Sequence, residues 1–347
     1  MKLKNVMAFG LSLVAFAPAQ DSVSVETVSP VPMVEDAHLG SPFVMQSYTA
    51  GEKGEFQATL IRYPFSGSSP KATILYIHGF NDYFFQKELA QRCDSAGYAF
   101  YAIDLHNYGR SLRKGERLGE LRDIASYYPE LDSALAKIRQ IEGAVPQVLM
   151  GHSTGGLVAS LYAKDRDNGK SIAAIVLNSP FLEMNMAWPV RKLGVPLISL
   201  LGGSFPDIPI PRSEDDFYFR SLHVDGVGEW QFSKEWKVPS SIPVDFGWCR
   251  AIHQGHVRVQ EGMALVSPIL VMFSNCSAKD DEWSEEYTRC DGVLDVEHIQ
   301  EYGSHLGPDV QLQEIQDGLH DLFLSKKSAR DQAYQSTFKF LDSRFRK

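Results

Sequence analysis

The 347-residue sequence has only four cysteines, no sustained basic stretch, no internal repeat and no apolar run of membrane-spanning length. Each shortage excludes something. Without Cys-x-x-Cys pairs or closely grouped His and Cys ligands, a zinc site is not expected. A formal net charge of −9 repels phosphate backbones and argues against nucleic acid as a partner. The early apolar run over residues 6–16 falls well short of the roughly 20 residues a membrane-crossing helix needs, so stable membrane insertion is not expected. No cysteine precedes Cys93 to accept a lipid near the N-terminus.

What the N-terminus does hold is the three-part layout of a secretory signal. Lys2 and Lys4 precede the apolar run, and the small triplet Ala17-Pro18-Ala19 follows it. Residues 1–19 are therefore expected to be removed, leaving an exported chain, periplasmic or secreted. Losing the two lysines takes the net charge from −9 to −11. In an oxidising compartment the four cysteines (Cys93, Cys249, Cys276, Cys290) permit two disulfides. With 44% hydrophobic and 22% charged residues, the composition is that of a globular enzyme with a full core.

Residues 20–41, rich in Ser, Pro and Val, read as an extended lead-in. Strand patterns follow at 43–49 and 56–63, joined by a turn over 51–54. Short continuous apolar runs at 72–77, 99–103, 148–150, 172–177 and 268–273 mark strands buried on both faces. Helical spacing lies between them, at 84–96, 124–141 and 157–164. Beyond them come a helix near 296–302, a strand at 310–315 and a final helix from 328 to about 345. The expected fold is α/β: a mostly parallel central sheet with helices on both faces. Its core takes in 42–180 and 263–347. Residues 181–262, rich in Pro, Gly and Trp without clean alternation, read as an inserted cap over the C-terminal edge of the sheet, where ligands bind in open α/β sheets.

Gly151-His152-Ser153-Thr154-Gly155 is a G-x-S-x-G sequence, weak by itself. Its context strengthens it, because a buried strand (QVLM) precedes it and a helical stretch (GLVASLYAK) follows, as a nucleophile elbow requires. Ser153 is the candidate nucleophile; a serine merely capping the helix is the bland alternative. His78-Gly79-Phe80 ends an earlier buried strand, where such folds place one oxyanion donor. The two backbone donors are then Phe80 and Thr154, and His78 reads as a structural histidine rather than a catalytic one. The general base belongs between the last strand and the last helix. His320 lies there, whereas His298 falls within a helix and His305 in a turn. For the acid, Asp280, Asp281, Asp291 and Asp295 all follow the strand at 268–273, the others reading as solvated charges or helix caps.

These motifs together resemble the monoacylglycerol lipase and lysophospholipase-like group of α/β-hydrolases, often labelled serine aminopeptidase-like hydrolases. The resemblance runs from about residue 56 to the C-terminus. It rests on HGF (78–80), the D-x-x-x-x-G-x-S pattern of Asp104, Gly109 and Ser111, GHSTGG (151–156), Ser179-Pro180, DGVLD (291–295) and LHDLFLS (319–325). In that group the acid heads a D-x-V-x-D stretch, which places it on Asp291. The long segment 275–290 before it is a departure that keeps Asp280 and Asp281 open. A disulfide between Cys276 and Cys290 would close that segment on itself and return Asp291 to the strand edge; Cys93–Cys249 has no independent support.

A serine nucleophile with an oxyanion hole implies acyl transfer to water through an acyl-enzyme, with no metal or cofactor needed. The resemblance implies esters with an acyl chain: monoacylglycerols, lysophospholipids or aliphatic esters. An aminopeptidase-like activity would need a carboxylate to hold a free amine, with Glu183, Glu214, Asp215 and Asp216 as candidates. A non-catalytic binding protein on this fold is the reading from a different class. Oligomeric state has no signature in the sequence.

Overall fold

The computed structural model describes residues 32–211 and 215–345. The signal-like segment, most of the lead-in and Glu214 lie outside the described residues. Among the described residues, one sheet is built from β1 (Val34–Glu35), β2 (Val44–Ala50), β3 (Phe56–Tyr63), β4 (Thr73–Ile77), β5 (Ala99–Asp104), β6 (Gln147–His152), β7 (Ala174–Asn178), β8 (Ile269–Ser274) and β9 (Val310–Ile315). Its spatial order is β1-β2-β3-β5-β4-β6-β7-β8-β9. The first three strands and β5 pair antiparallel, and from β5 to β9 every pairing is parallel.

The continuous apolar runs become strands in which every residue is buried, from β4 through β8. Alternate side chains serve opposite faces of the sheet. Leu75 and Ile77 join one core cluster, and Ile74 and Tyr76 the other. The second cluster is closed by α1 (Lys87–Ser95) and, at the far end of the chain, by the helix Lys327–Arg344. The first is closed by α2 (Tyr128–Glu142), α3 (Thr154–Asp167) and, near the C-terminus, the helix Val296–Gly303.

Two departures from sequence expectation have clear causes. Helical spacing suggested a start near residue 84, but the helix begins at Lys87, because the N–H of Phe84 donates to Asp104 Oδ1 at 2.9 Å and holds the chain in a loop. The 181–262 stretch also holds more order than its composition suggested: α4 (Val195–Leu201), α5 (Phe217–Leu222) and the 15-residue α6 (Phe246–Gln260). Cys249, Ile252 and Val259 of α6 join the first core cluster. Its buried stripe escaped notice because Gly255 and His256 interrupt it. A Cβ on Gly255 would sit 2.8 Å from Ile124 Cδ1, so the glycine permits close packing there. The last two helices are then α7 (Val296–Gly303) and α8 (Lys327–Arg344).

The lead-in is integral to this fold. Asp36, fully buried, accepts from Arg110 Nε at 2.6 Å, and Arg110 Nη1 reaches Asp104 Oδ2 at 2.7 Å. This arrangement gives the Asp104, Gly109 and Ser111 pattern a structural meaning. Ser111 Oγ donates to the Asp104 carbonyl at 2.6 Å, and Gly109 (φ +47°) passes so near Asp104 that a Cβ would lie 2.4 Å from Oδ2.

Candidate active site

Ser153 stands where β6 turns sharply into α3. Its backbone takes φ 53° and ψ −118°, a region that non-glycine residues rarely occupy. The turn is pinned by Ser153 N–H to the Asn178 carbonyl and by Phe181 N–H to the Ser153 carbonyl, both at 3.0 Å. The motif glycines are needed for packing. A Cβ on Gly151 would lie 2.4 Å from the Gly155 carbonyl oxygen, and one on Gly155 would lie 2.2 Å from that of Ile77.

His320 lies in the turn between β9 and α8. Its Nδ1 is 2.9 Å from Asp291 Oδ2. A carboxylate there accepts the Nδ1 proton, leaving Nε2 as the ring's acceptor. The following residue anchors the turn: Asp321 Oδ1 accepts from Asn178 Nδ2 at 2.8 Å, and Oδ2 accepts from Gln86 Nε2 at 3.0 Å. Asp291 is fully buried. Its Oδ1 accepts from the N–H groups of Val293 and Leu294, both at 2.8 Å.

The long segment before Asp291 is folded back as the cysteine spacing suggested. Cys276 and Cys290 are disulfide-bonded, and Asp291 pairs with Ser277 as a parallel bridge extending the line of β8. Asp291 N–H donates to the Cys276 carbonyl at 2.9 Å, and Ala278 N–H to the Asp291 carbonyl at 2.8 Å. Asp280 and Asp281 are exposed on the excursion, and Asp295 caps α7 through the Glu297 N–H. His298 and His305 lie elsewhere, on α7 and at the surface. Cys93 and Cys249, the other conceivable pair, are both free. They cannot meet, because they belong to the core clusters on opposite faces of the sheet.

Ser153, Thr154, His320 and Phe80 line one cavity of about 480 Å³, whose walls include Met184, Trp248 and Val238. Among the described residues no acceptor takes the backbone N–H of Phe80 or Thr154. His78 is the structural residue the sequence implied. Its Nε2 accepts from the Leu105 N–H at 3.1 Å, so Nδ1 carries the proton and donates to the Gly79 carbonyl at 2.8 Å. Burial lowers the pKa of this ring, in keeping with its neutral form. A second cavity of about 540 Å³, between α2, α4 and α6, holds none of these residues.

Of the carboxylates weighed for an amine, Glu183 is taken by Lys192 at 2.9 Å, whereas Asp215 and Asp216 line the cavity. Sequence reasoning missed four residues around the site: Asp82, His152, Tyr218 and Lys237. Tyr218 packs edge-on against His320, with ring centroids 5.5 Å apart. Asp82, His152 and Asp321 lie close enough to share an ion. Their chemistry fits one poorly: the Lys237 ammonium holds Asp82 at 3.1 Å, and Asn178 and Gln86 hold Asp321. His152 sat inside the motif and Asp82 just past HGF, but Lys237 carried no signal at all.

The family model for serine aminopeptidase, S33 (Hydrolase_4) matches residues 68–237. A monoacylglycerol lipase of Mycolicibacterium smegmatis is 26% identical over 208 residues, covering 59% of this chain and 70% of its own. Phospholipase YtpA of Bacillus subtilis is 33% identical over 135 residues, covering 38% of this chain and half of its own. A soluble variant of the Saccharomyces cerevisiae monoglyceride lipase, solved with a substrate analog, superposes with a TM-score of 0.66 at 16% identity, covering 87% of this chain and 96% of its own. The Paleococcus ferrophilus monoacylglycerol lipase superposes at 0.60 with 18% identity, covering 82% and 99%. At such identities the superpositions establish the fold.

Proposed function

We propose that this chain, similar in sequence and fold to the monoacylglycerol lipase and lysophospholipase-like group of α/β-hydrolases, hydrolyses carboxylic esters of acyl chains. Ser153 Oγ attacks the ester carbonyl carbon while His320 Nε2 takes its proton. The negative charge that develops on the carbonyl oxygen is met by the N–H groups of Phe80 and Thr154. Collapse of the tetrahedral species breaks the ester C–O bond, and His320 returns the proton to the departing alcohol. Water then attacks the acyl-enzyme by the same route and releases the acid. Asp291 keeps His320 in the required tautomer and stabilises its charged form.

The observation that carries this reading is convergence. The serine on a strained elbow, the histidine aligned by a buried aspartate, and two uncommitted amides all meet at one largely apolar cavity. An acyl-chain substrate is further supported by the insertion. Leu193, Leu197 and Leu200, spaced by four and three residues, are 66%, 57% and 71% exposed. Together with Trp188 and Val190 they offer an apolar face suited to a lipid aggregate. Among the described residues no helix is long and apolar enough to cross a membrane. Export through the N-terminal segment belongs to the same proposal, and the Cys276–Cys290 bond supports it. N-terminal sequencing of protein recovered outside the cytoplasm should begin just after Ala19.

The deciding assay is a panel of p-nitrophenyl esters of rising chain length, a monoacylglycerol, and aminoacyl-nitroanilides. Ester turnover with a chain-length preference is expected, abolished by Ser153→Ala with the melting temperature unchanged. Turnover retained by that variant would overturn the serine mechanism. Faster hydrolysis of the nitroanilides would move the assignment to an aminopeptidase, with Asp215 and Asp216 as the amine ligands to test first.

A further inference from the structure

The insertion is clasped to the loop that presents Phe80. Asn81, in the left-handed region at φ 52°, donates its Nδ2 to the Val238 carbonyl and accepts the Val238 N–H at Oδ1, both at 3.0 Å. The next residue makes an ion pair with the preceding residue of the insertion: Lys237 Nζ is 3.1 Å from Asp82 Oδ1. Both partners are buried, Asp82 at 1% exposure and Lys237 at 5%. The ammonium also lies over the rings of Tyr218 and Phe232, at 5.4 and 5.9 Å. Tyr83 extends the clasp, its hydroxyl accepting the Ser233 N–H at 2.8 Å and its ring meeting Trp236 edge-on at 5.1 Å.

From Asp82 the contact chain continues inward. Its second oxygen lies 3.4 Å from Nδ1 of His152, the residue immediately before Ser153. Among the described residues neither nitrogen of that buried ring makes any closer polar contact, and the ring packs against His320 with centroids 4.9 Å apart. Burial alone would raise the Asp82 carboxyl; the Lys237 charge and His152 outweigh it and hold the group well below the usual carboxylate range. An apolar contact would close the insertion over the core equally well. A buried ion pair also has a direction, set here by Lys237 Nζ facing Asp82 Oδ1.

We infer that Lys237 is a positioning residue: through Asp82, and with Val238 through Asn81, it holds the Phe80 amide and the His152 ring in place around Ser153. The inference rests on the proposed ester hydrolysis, in which the Phe80 N–H meets the oxyanion. It divides the insertion into two parts. Residues 232–238 stay seated through turnover, and any opening for substrate takes place elsewhere.

Steady-state kinetics and thermal melts of Lys237→Met, Lys237→Arg and the double variant Asp82→Asn/Lys237→Met test it. Lys237→Met should lower kcat by roughly 10²-fold, as a reacting group displaced by about an ångström does, with little change in KM. Lys237→Arg should recover most of that loss. The double variant, which buries no unpaired charge, should regain the wild-type melting temperature while kcat stays low. A merely structural pair gives a different pattern, with kcat recovering alongside the melting temperature, and that result overturns the inference. So does a kcat for folded Lys237→Met close to wild type. Should Lys237→Met not fold, Asn81→Ala removes both bonds to Val238 without stranding a charge; kcat must fall there too, and an unchanged kcat refutes the clasp. Ser153→Ala, run alongside, separates the two readings. Activity surviving in it refutes the serine mechanism, whatever the Lys237 variants do.

Discussion

Asparagine in place of Asp291 tests the His320 assignment most directly, because the structure dictates which way the new amide must face. Asp291 Oδ1 accepts two backbone N–H groups, from Val293 and Leu294, at 2.8 Å each. An asparagine that keeps its oxygen there turns its NH₂ towards His320 Nδ1. A donor in that position requires Nδ1 to be the acceptor, and the ring proton moves to Nε2, where the serine proton must be received. The flipped amide would set its NH₂ against two backbone donors in a buried site, at a cost of about 1–3 kcal/mol for each polar group left unsatisfied. The unproductive tautomer therefore prevails. Loss of the orienting carboxylate in such a relay lowers kcat by about 10⁴, or about 5.5 kcal/mol of transition-state stabilisation. The assay is p-nitrophenyl butyrate turnover per folded enzyme, with Asp280→Asn and Asp281→Asn as exposed controls. Turnover of Asp291→Asn within about tenfold of wild type, or a larger loss in either control, refutes the reasoning.

Two further outcomes are expected. Cys276→Ser opens a loop whose closure is worth about 3 kcal/mol in the chain-entropy view; the melting temperature should drop, and kcat should fall more than KM changes. Asp291 keeps its backbone bonds to Cys276 and Ala278, so this loss should stay smaller than that of Asp291→Asn, and equal losses would contradict the account. His256 is buried, with Nε2 3.0 Å from the Phe181 carbonyl, and burial, opposed by the Glu183 charge, holds its pKa down to about 4. The fold favours the neutral ring. Its contribution is therefore complete above the unfolded value of about 6.5 and is lost as pH falls towards 4, amounting to about 2 kcal/mol between pH 7 and 5. Urea unfolding of His256→Leu should show a shallower decline over that interval; an unaltered decline would refute it.

The strands were legible because each apolar run is buried on both faces, and a run of that kind has few other homes. The placement of Ser153 on the elbow and of His320 in the last turn was legible for a related reason, since both are defined by their place between elements; their catalytic roles belong to the proposal. Asp291 was not legible from the residues alone. Four aspartates followed β8, and what selects one is the return of the chain beside Ser277, a contact made across 14 residues. Lys237 had no local signal, since its meaning comes entirely from Asp82, far away in sequence. The helix α6 was hidden because its buried face relies on glycine and histidine, which carry no apolar periodicity.

The Asp36–Arg110–Asp104 arrangement bears on how far the protein can be trimmed. By pattern, the hydrolase begins near residue 42, and a shortened chain starting at Pro42 would preserve every motif around the cavity. It would also remove Asp36 and leave the buried Arg110 guanidinium with Asp104 as its remaining carboxylate partner among the described residues. Asp104 still compensates the guanidinium, so what is lost is one charge-assisted hydrogen bond, worth about 1.5–3 kcal/mol, a sizeable share of the stability of an ordinary domain. Arg110 also donates to the Phe84 carbonyl and sets the loop entering α1. Residues that look like packaging ahead of an enzyme are thus part of its frame.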